Sequence, residues 1–247
     1  KIIQGILIVL HDISEKRKIE KMKSDLVSNV SHELKTPIAI IRGYLETVKE
    51  NYDNKAMSMT YIDRAIENVD RQNALIQDII KLSMIESARE FEKERIDIKA
   101  IIERCLDLLA PKISKKEIIL TNSLQENIEY TVTANHFLVE EIFFNIIDNG
   151  INYNSDGGSL EISGSETADR LIFKISDTGV GIPEEFKERI FERFYRVDKS
   201  RSRATGGTGL GLSIVKHAVM VLGWDVSVDS GTGGSSFTIK AKKDAVG

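Results

Sequence analysis

The feature that most constrains this chain is one long apolar stripe at helical spacing. Ile19, Met22, Leu26, Val30, Leu34, Ile38, Ile41, Leu45 and Val48 recur by threes and fours, the period of one helix face. Such a stripe is too long for one small globule and reads as a coiled-coil segment leading into a helical bundle. Asn51, Tyr52, Asp53 and Asn54 break it, and a second helix carries Ile62, Ile66, Val69, Leu75, Ile79, Leu82 and Ile85 to about Phe91. Two long helices with a short connection form an antiparallel hairpin. One hairpin alone exposes too much of that stripe, so two copies making a four-helix bundle are expected.

Past the charged residues 90–95, which read as a hinge, the pattern turns mixed. Residues 98–109 are amphipathic, and 117–120 and 128–132 suit strands. Asn135 is placed to cap an apolar helix reaching about Asn152. Residues 160–163 and 171–176 read as strands, followed by glycine-rich loops and a helix over about 209–222. Residues 225–229 and 236–240 close the chain as strands. Helices and antiparallel strands segregated in this way define a two-layer α+β sandwich. Before the first helix, residues 2–10 suit one strand with a turn after it, Ser14 being placed as an N-cap. The tail of a membrane helix is the other reading, although Gly5 and the Val/Ile content fit a strand better.

Composition narrows the function classes. The chain has 34 Lys+Arg against 38 Asp+Glu, a net charge of −4, which argues against nucleic-acid binding on a broad basic face. Its single cysteine, Cys105, excludes an intrachain disulfide and a multi-cysteine zinc site, and reads as a buried small hydrophobe. Residues 1–10 are too few to span a bilayer, which takes about 20 apolar residues. A soluble intracellular piece of something longer is expected.

Four groups of residues offer chemistry. Ser31-His32-Glu33-Leu34-Lys35-Thr36-Pro37 lies within the first helix, and at 100° per residue His32 points away from Val30 and Leu34. Thr36 shares its face, and Pro37 frees the Glu33 carbonyl, so a kink is expected. A surface histidine without a role is the bland reading. An imidazole largely neutral at pH 7 is also a nucleophile, and a neighbouring carboxylate can take its proton. Asn145 and Asn149 lie at i and i+4 on the Asn135 helix, either as a polar face or as oxygen donors suited to Mg²⁺. Asp177-Thr178-Gly179-Val180-Gly181 suits a plain turn, a calcium loop, or a carboxylate accepting from the amino group of adenine, which would favour ATP over GTP. The run from Phe191 to Arg203, with Arg196 inside it, reads as a solvated charged loop. It abuts Gly206-Gly207-Thr208-Gly209-Leu210-Gly211-Leu212, and glycines before a helix admit phosphate. Neither a Walker A loop nor a Rossmann turn fits there.

Each signal is modest alone. Their order and spacing over residues 31–213 resemble the H, N, G1, F and G2 boxes of bacterial two-component sensor histidine kinases, and the resemblance covers nearly the whole chain. The wording of residues 191–202 and 206–213 is most similar to the phosphate-regulon and cell-wall sensor kinases of Gram-positive bacteria. The resemblance implies the last strand of a PAS-like sensor domain over 1–13, a coiled-coil linker over 14–24, a dimerising phosphotransfer hairpin over 25–92, and an ATP-binding domain of the gyrase, chaperone and histidine kinase type over 93–247. It implies ATP and Mg²⁺ as ligands. His32 would be the phosphoacceptor, Glu33 its base, and Thr36 the residue positioning water for dephosphorylation of a response regulator. Asn145 would hold the metal, with Asn149 lining the metal–phosphate site and Asn152 and Tyr153 among the nucleotide-binding residues. Asp177, Gly179 and Gly181 would form the adenine pocket. Arg196 would face the γ-phosphate, and Thr208, Gly209, Leu210, Gly211 and Leu212 would close over the phosphates.

The implied partners are a second copy of the chain and a response-regulator receiver domain, without nucleic acid. The implied location is cytoplasmic, with the longer protein anchored in the cell membrane and this piece making no contact with it. One departure stands out: Asn152 occupies a place where the family usually has lysine. Losing one such contact costs about 1–3 kcal/mol, so weaker ATP binding or slower autophosphorylation is expected. It also raises the alternative of a phosphatase-biased or weak-kinase module. Gly223-Trp224 replaces the usual glycine pair. His11, His136 and His217 have no matching partners in the sequence, and the scattered methionines read as core or loop residues. Another ATPase of the same nucleotide-binding fold is the remaining alternative, disfavoured by residues 31–37.

Overall fold

A computed structural model describes residues 14–88, 90–197 and 207–244, with backbone alone for residues 14–29 and for His32. The expected strand over 2–10, the side-chain cap at Ser14, His11, residues 198–203 and Gly206 lie outside the described residues. The chain divides between Gln72 and Asn73 into two compact units.

The first unit contains helix α1 (Ser14–Glu50) and most of helix α2 (Lys55–Ser87). Tyr44 and Tyr61 meet with ring centroids 5.6 Å apart, and the Gln72 amide donates to the Leu34 carbonyl at 3.1 Å. Positions later in α2 thus meet positions earlier in α1, as in an antiparallel hairpin. Asn54 starts α2 as its side chain accepts the Met57 N–H at 3.1 Å, the usual N-cap device. Helix α1 continues through Pro37, and α2 stops at Ser87, short of the expected Phe91. Along α2, Ala65, Leu75, Leu82 and Ile85 are buried, whereas Met59, Ile66, Val69, Ile76, Ile80 and Met84 remain exposed. Met59 and Met84 are therefore surface residues of a helix, not core or loop.

The second unit continues with β1 (Glu94–Asp97), α3 (Ile98–Lys115), β2 (Ile119–Ser123), β3 (Thr131–Ala134), α4 (His136–Asn152), β4 (Ser159–Glu166) and β5 (Arg170–Asp177). It closes with α5 (Gly211–Leu222), β6 (Asp225–Gly231) and β7 (Gly234–Lys242). Five strands form a mixed sheet in the order β2-β4-β5-β7-β6, and β1 pairs with β3 apart from it. The expectation of antiparallel strands needs correction at β2, which runs parallel to β4. The chain crosses from one to the other through β3 and α4, and a crossover of that length returns a strand in the same direction. The expected hinge is also shorter, because Glu94 and Arg95 pair with Ala134 and Thr133.

Helix α4 packs on β5 and α5 on β6, and α3 packs beside α4. Leu171, Phe173 and Ile175 of β5 are buried, alternating with residues on the other face as the pleat requires. Leu138, Ile142, Phe143, Ile146 and Ile147 of α4 lie against them, with Phe143 edge-on to Phe173 at 5.2 Å. Each large apolar side chain so buried contributes about 1.5–3 kcal/mol. Cys105 is buried in α3, and desolvation pushes its thiol up to about 12, which keeps it protonated. Helix α5 ends at Gly223 in the left-handed region, where the Trp224 N–H reaches the Val219 carbonyl at 2.8 Å. The turn needs one glycine, and Trp224 is buried beside it.

Candidate functional site

A helix whose apolar face seats on the sheet must carry its polar residues along the remaining edge. On α4 that edge holds Asn145, Asp148, Asn149 and Asn152, which together line one cavity of about 570 Å³. The Asn145 Nδ2 donates to the Glu141 carbonyl at 2.8 Å and to Glu141 Oε2 at 3.1 Å. Those bonds occupy both amide hydrogens and orient Oδ1 away from them. Oδ1 faces the start of α5, where a Cβ on Gly211 would come within 2.5 Å of it. A side chain there would displace the Asn145 amide. Asn152 Nδ2 donates to Asp148 Oδ2 at 2.8 Å. Tyr153, the residue after α4, lines the same cavity.

Asp177 ends β5 on the opposite side. Its Oδ1 accepts the backbone N–H groups of Gly179 at 2.8 Å and Ser235 at 3.3 Å. Desolvation holds its carboxyl above the usual range, against the pull of those two bonds. The loop after it is pinned from beneath: Thr178 Oγ1 donates to Asn154 Oδ1 at 3.3 Å. Gly181 has φ +69°, and a Cβ there would lie 1.7 Å from the Gly231 carbonyl oxygen, so no side chain fits.

The third wall is the segment leading into α5. Arg196, Gly207, Thr208, Gly209, Gly211 and Leu212 line the cavity. Leu210 caps α5 without a side-chain hydrogen bond, leaving the first amides of that helix to attract an anion. Arg196 donates to the Gly207 carbonyl. The Thr208 hydroxyl donates to Asp78 Oδ2 at 2.6 Å, and burial pushes the Asp78 carboxyl above the usual range.

Of the expected site residues, the cavity gathers Asn145, Asn149, Asn152, Tyr153, Asp177, Gly181, Arg196, Thr208, Gly209, Gly211 and Leu212. Gly179 is not among the lining residues and acts on the cavity only by donating its N–H to Asp177 Oδ1. Leu210 is fully buried beneath it and does not line it. His32, Glu33 and Thr36 lie on α1 in the other unit. Glu33 is half-buried and Thr36 exposed, while the His32 side chain is outside the described residues.

Several contributors have no motif. Lys116 donates to the carbonyls of Ile151, Asn152 and Asn154 at 3.0, 2.7 and 3.2 Å, and so ties down the end of α4. Burial lowers its pKa from the ordinary value. Lys112 Nζ reaches Asp148 Oδ1 at 2.5 Å, and Lys81 Nζ reaches Glu141 Oε1 at 2.6 Å. His217, expected to have no partner, has Nε2 3.0 Å from Glu86 Oε1. All four depend on residues distant in sequence, so local spacing carries no trace of them. Among the described residues no group of three or more His, Cys, Asp or Glu side chains is arranged for a metal ion. None of the described helices is long and apolar enough to cross a membrane.

A helical hairpin bearing the His32 segment, followed by a mixed sheet whose helices frame a cavity with a carboxylate, an amide edge and a bare helix N-terminus, defines a class. Residues 22–88 match the model for the His Kinase A (phospho-acceptor) domain, and residues 134–245 match the histidine kinase-, DNA gyrase B-, and HSP90-like ATPase. The chain belongs to the sensor histidine kinase family. It is 32% identical to the sensor histidine kinase WalK of Bacillus subtilis, over 98% of this chain and 40% of that protein. It is 31% identical to the sensor-like histidine kinase SenX3 of Mycolicibacterium smegmatis, over 94% of this chain and 61% of that protein. The chain thus spans about two fifths to three fifths of these relatives. The histidine kinase AdeS of Acinetobacter baumannii superposes with a TM-score of 0.68 at 25% identity, covering 87% of this chain and 98% of AdeS. The histidine kinase ThkA, solved in complex with the response regulator protein TrrA, shares the fold with a TM-score of 0.77 at 22% identity, covering 94% of this chain and 65% of that one. None of these likenesses favours the phosphatase-biased alternative.

Proposed function

We propose that this chain transfers the γ-phosphoryl group of ATP to His32 and passes it on to an aspartate of a response regulator. The observation that carries this reading is the convergence of Asp177, the α4 amide edge and the uncapped start of α5 on one cavity. Adenine lies against Asp177, whose Oδ1 is committed to two backbone N–H groups, so that Oδ2 accepts from the adenine amino group. Gly179 and Gly181 shape the loop around the base, and Tyr153 flanks it. The phosphates extend toward Arg196 and the amides at the start of α5, with Thr208, Gly209, Gly211 and Leu212 closing over them and the buried Leu210 supporting that segment from beneath.

The oxygen donor set fits one Mg²⁺. Asn145 Oδ1 is fixed by the bonds of its own amide to Glu141, and a hard cation keeping phosphate and water ligands needs few protein oxygens. Asn145 would hold the ion, with Asn149 and Asn152 near the phosphates. The chemistry the ion supplies is neutralisation of charge on the phosphate oxygens. In the transfer step an imidazole nitrogen of His32 bonds to the γ-phosphorus while the bond to the bridging oxygen of ADP breaks. The proton from the imidazole goes to Glu33. Positioning and charge stabilisation provide the catalysis, as phosphoryl transfer requires.

The exposed stripe of α2 supports a homodimer through the hairpin. The receiving aspartate belongs to a receiver domain, and Thr36 orients water when the regulator is dephosphorylated. The domain limits we assign to these roles are a linker over 14–24, a hairpin over 25–92 and an ATP-binding domain over 93–247. The piece acts in the cytoplasm, within a longer membrane-anchored protein. Incubation with γ-labelled ATP and Mg²⁺, beside His32→Ala, tests the reaction. An acid-labile, alkali-stable label that the substitution abolishes is expected; a label surviving in His32→Ala overturns the assignment.

A further inference from the structure

We propose that Lys112 binds the nucleotide phosphates, supplying from α3 a positive charge that Asn152 does not carry. The inference rests on the ATP reading of the cavity. A triphosphate entering it meets three carboxylates among the lining residues, Asp78, Asp148 and Asp177, and two cations, Lys112 and Arg196. The α4 edge would repel phosphate if Asp148 stood uncompensated. Asn152 cannot compensate it, because its neutral amide already donates to Asp148 Oδ2 at 2.8 Å.

Lys112 can. It lies in the last turn of α3, half-exposed, with Nζ 2.5 Å from Asp148 Oδ1. An ammonium has three N–H donors on a flexible stem. The bond to Asp148 uses one and holds the charge at the cavity wall, leaving two for phosphate oxygens. Lys116, one turn on, offers no such capacity: its three donors match the carbonyls of Ile151, Asn152 and Asn154. The pairing with Asp148 therefore both cancels a repulsive carboxylate and positions a phosphate ligand.

The test is equilibrium titration of the 247-residue chain with ATP, ADP and adenosine, for the native sequence, Lys112→Ala, Lys112→Arg and Lys112→Ala combined with Asn152→Lys. Lys112→Ala is expected to weaken ATP binding about tenfold, the effect of one charge-assisted contact, and to leave adenosine affinity unchanged. Lys112→Arg is expected to keep most of the ATP affinity, and adding Asn152→Lys to restore it. Equal losses for ATP and adenosine, or an unchanged ATP-to-adenosine ratio, would show an ion pair that only joins α3 to α4 and overturn the proposal. A native chain that binds adenosine but prefers ATP no better than adenosine overturns it as well. Failure to bind any of the three overturns the reading of the cavity itself, and this inference with it.

Discussion

Asp177 illustrates how one residue acquires a function from its surroundings. Desolvation raises its pKa above the ordinary 3.8, while N–H groups of Gly179 and Ser235 act in the opposite direction. A raised value means that protonation occurs at a higher pH than for a surface aspartate. Adenosine affinity should therefore fall on acidification while ordinary surface aspartates are still ionised, because only the carboxylate accepts at both oxygens. Asp177→Asn keeps an acceptor for the two backbone donors but turns an NH₂ toward the adenine amino group. It should weaken ATP binding about tenfold to a hundredfold, relax discrimination against GTP, and remove the acid-side titration. Relief of charge burial should leave the ligand-free fold no less stable. Calorimetric titration across pH, with thermal unfolding alongside, checks each part. The carboxylate and its glycines were legible in the sequence, because the residue types themselves carry the chemistry. The Ser235 contact was not, since the β5–β7 register brings it there.

At the scale of elements, α4 is a helix with one face for the core and one edge for the ligand. Its 3.6-residue period separates the two, which is why Asn145 and Asn149 could be recognised from spacing alone. The supports of that edge come from other elements. Lys81 of α2 pairs with Glu141, whose side chain is only 8% exposed, and Glu141 in turn orients Asn145. Lys81→Ala should leave a nearly buried carboxylate without its cation and lower stability by about 3 kcal/mol. Adding Glu141→Gln should recover most of that loss, since glutamine can still accept from Asn145. Denaturant unfolding of the single and double variants measures the coupling. A loss that Glu141→Gln fails to recover would mean that Lys81 acts through packing instead. The shortened hinge has a related cause: Glu94 and Arg95 are charged and locally unremarkable, and become a strand only because β3 lies alongside.

At the scale of the molecule, the exposed apolar stripe of α2 is a feature that the described residues leave uncovered. Ile66 is 53% and Val69 44% exposed, with Met59, Ile76, Ile80 and Met84 also exposed along the helix. Surface of that kind on a helical hairpin calls for a second hairpin. Sedimentation should give a dimer for the native chain and a monomer for Ile66→Glu combined with Val69→Glu, with adenosine affinity unchanged. A native chain that sediments as a monomer would remove the four-helix bundle.

The sequence by itself determined the hairpin, the succession of most elements in the second unit, and the residue types able to hold adenine, metal and phosphate. Periodicity and side-chain chemistry are local properties, readable along a single chain. Only the tertiary structure decided the parallel pairing of β2 with β4, the partner of His217, and the support of α4 by Lys81, Lys112 and Lys116. These are contacts between residues far apart in sequence. The Lys112 and Lys116 contacts form because α3 packs beside α4, the Lys81 and His217 contacts because α2 lies beside α4 and α5, and no local pattern encodes which lysine ends beside which carboxylate.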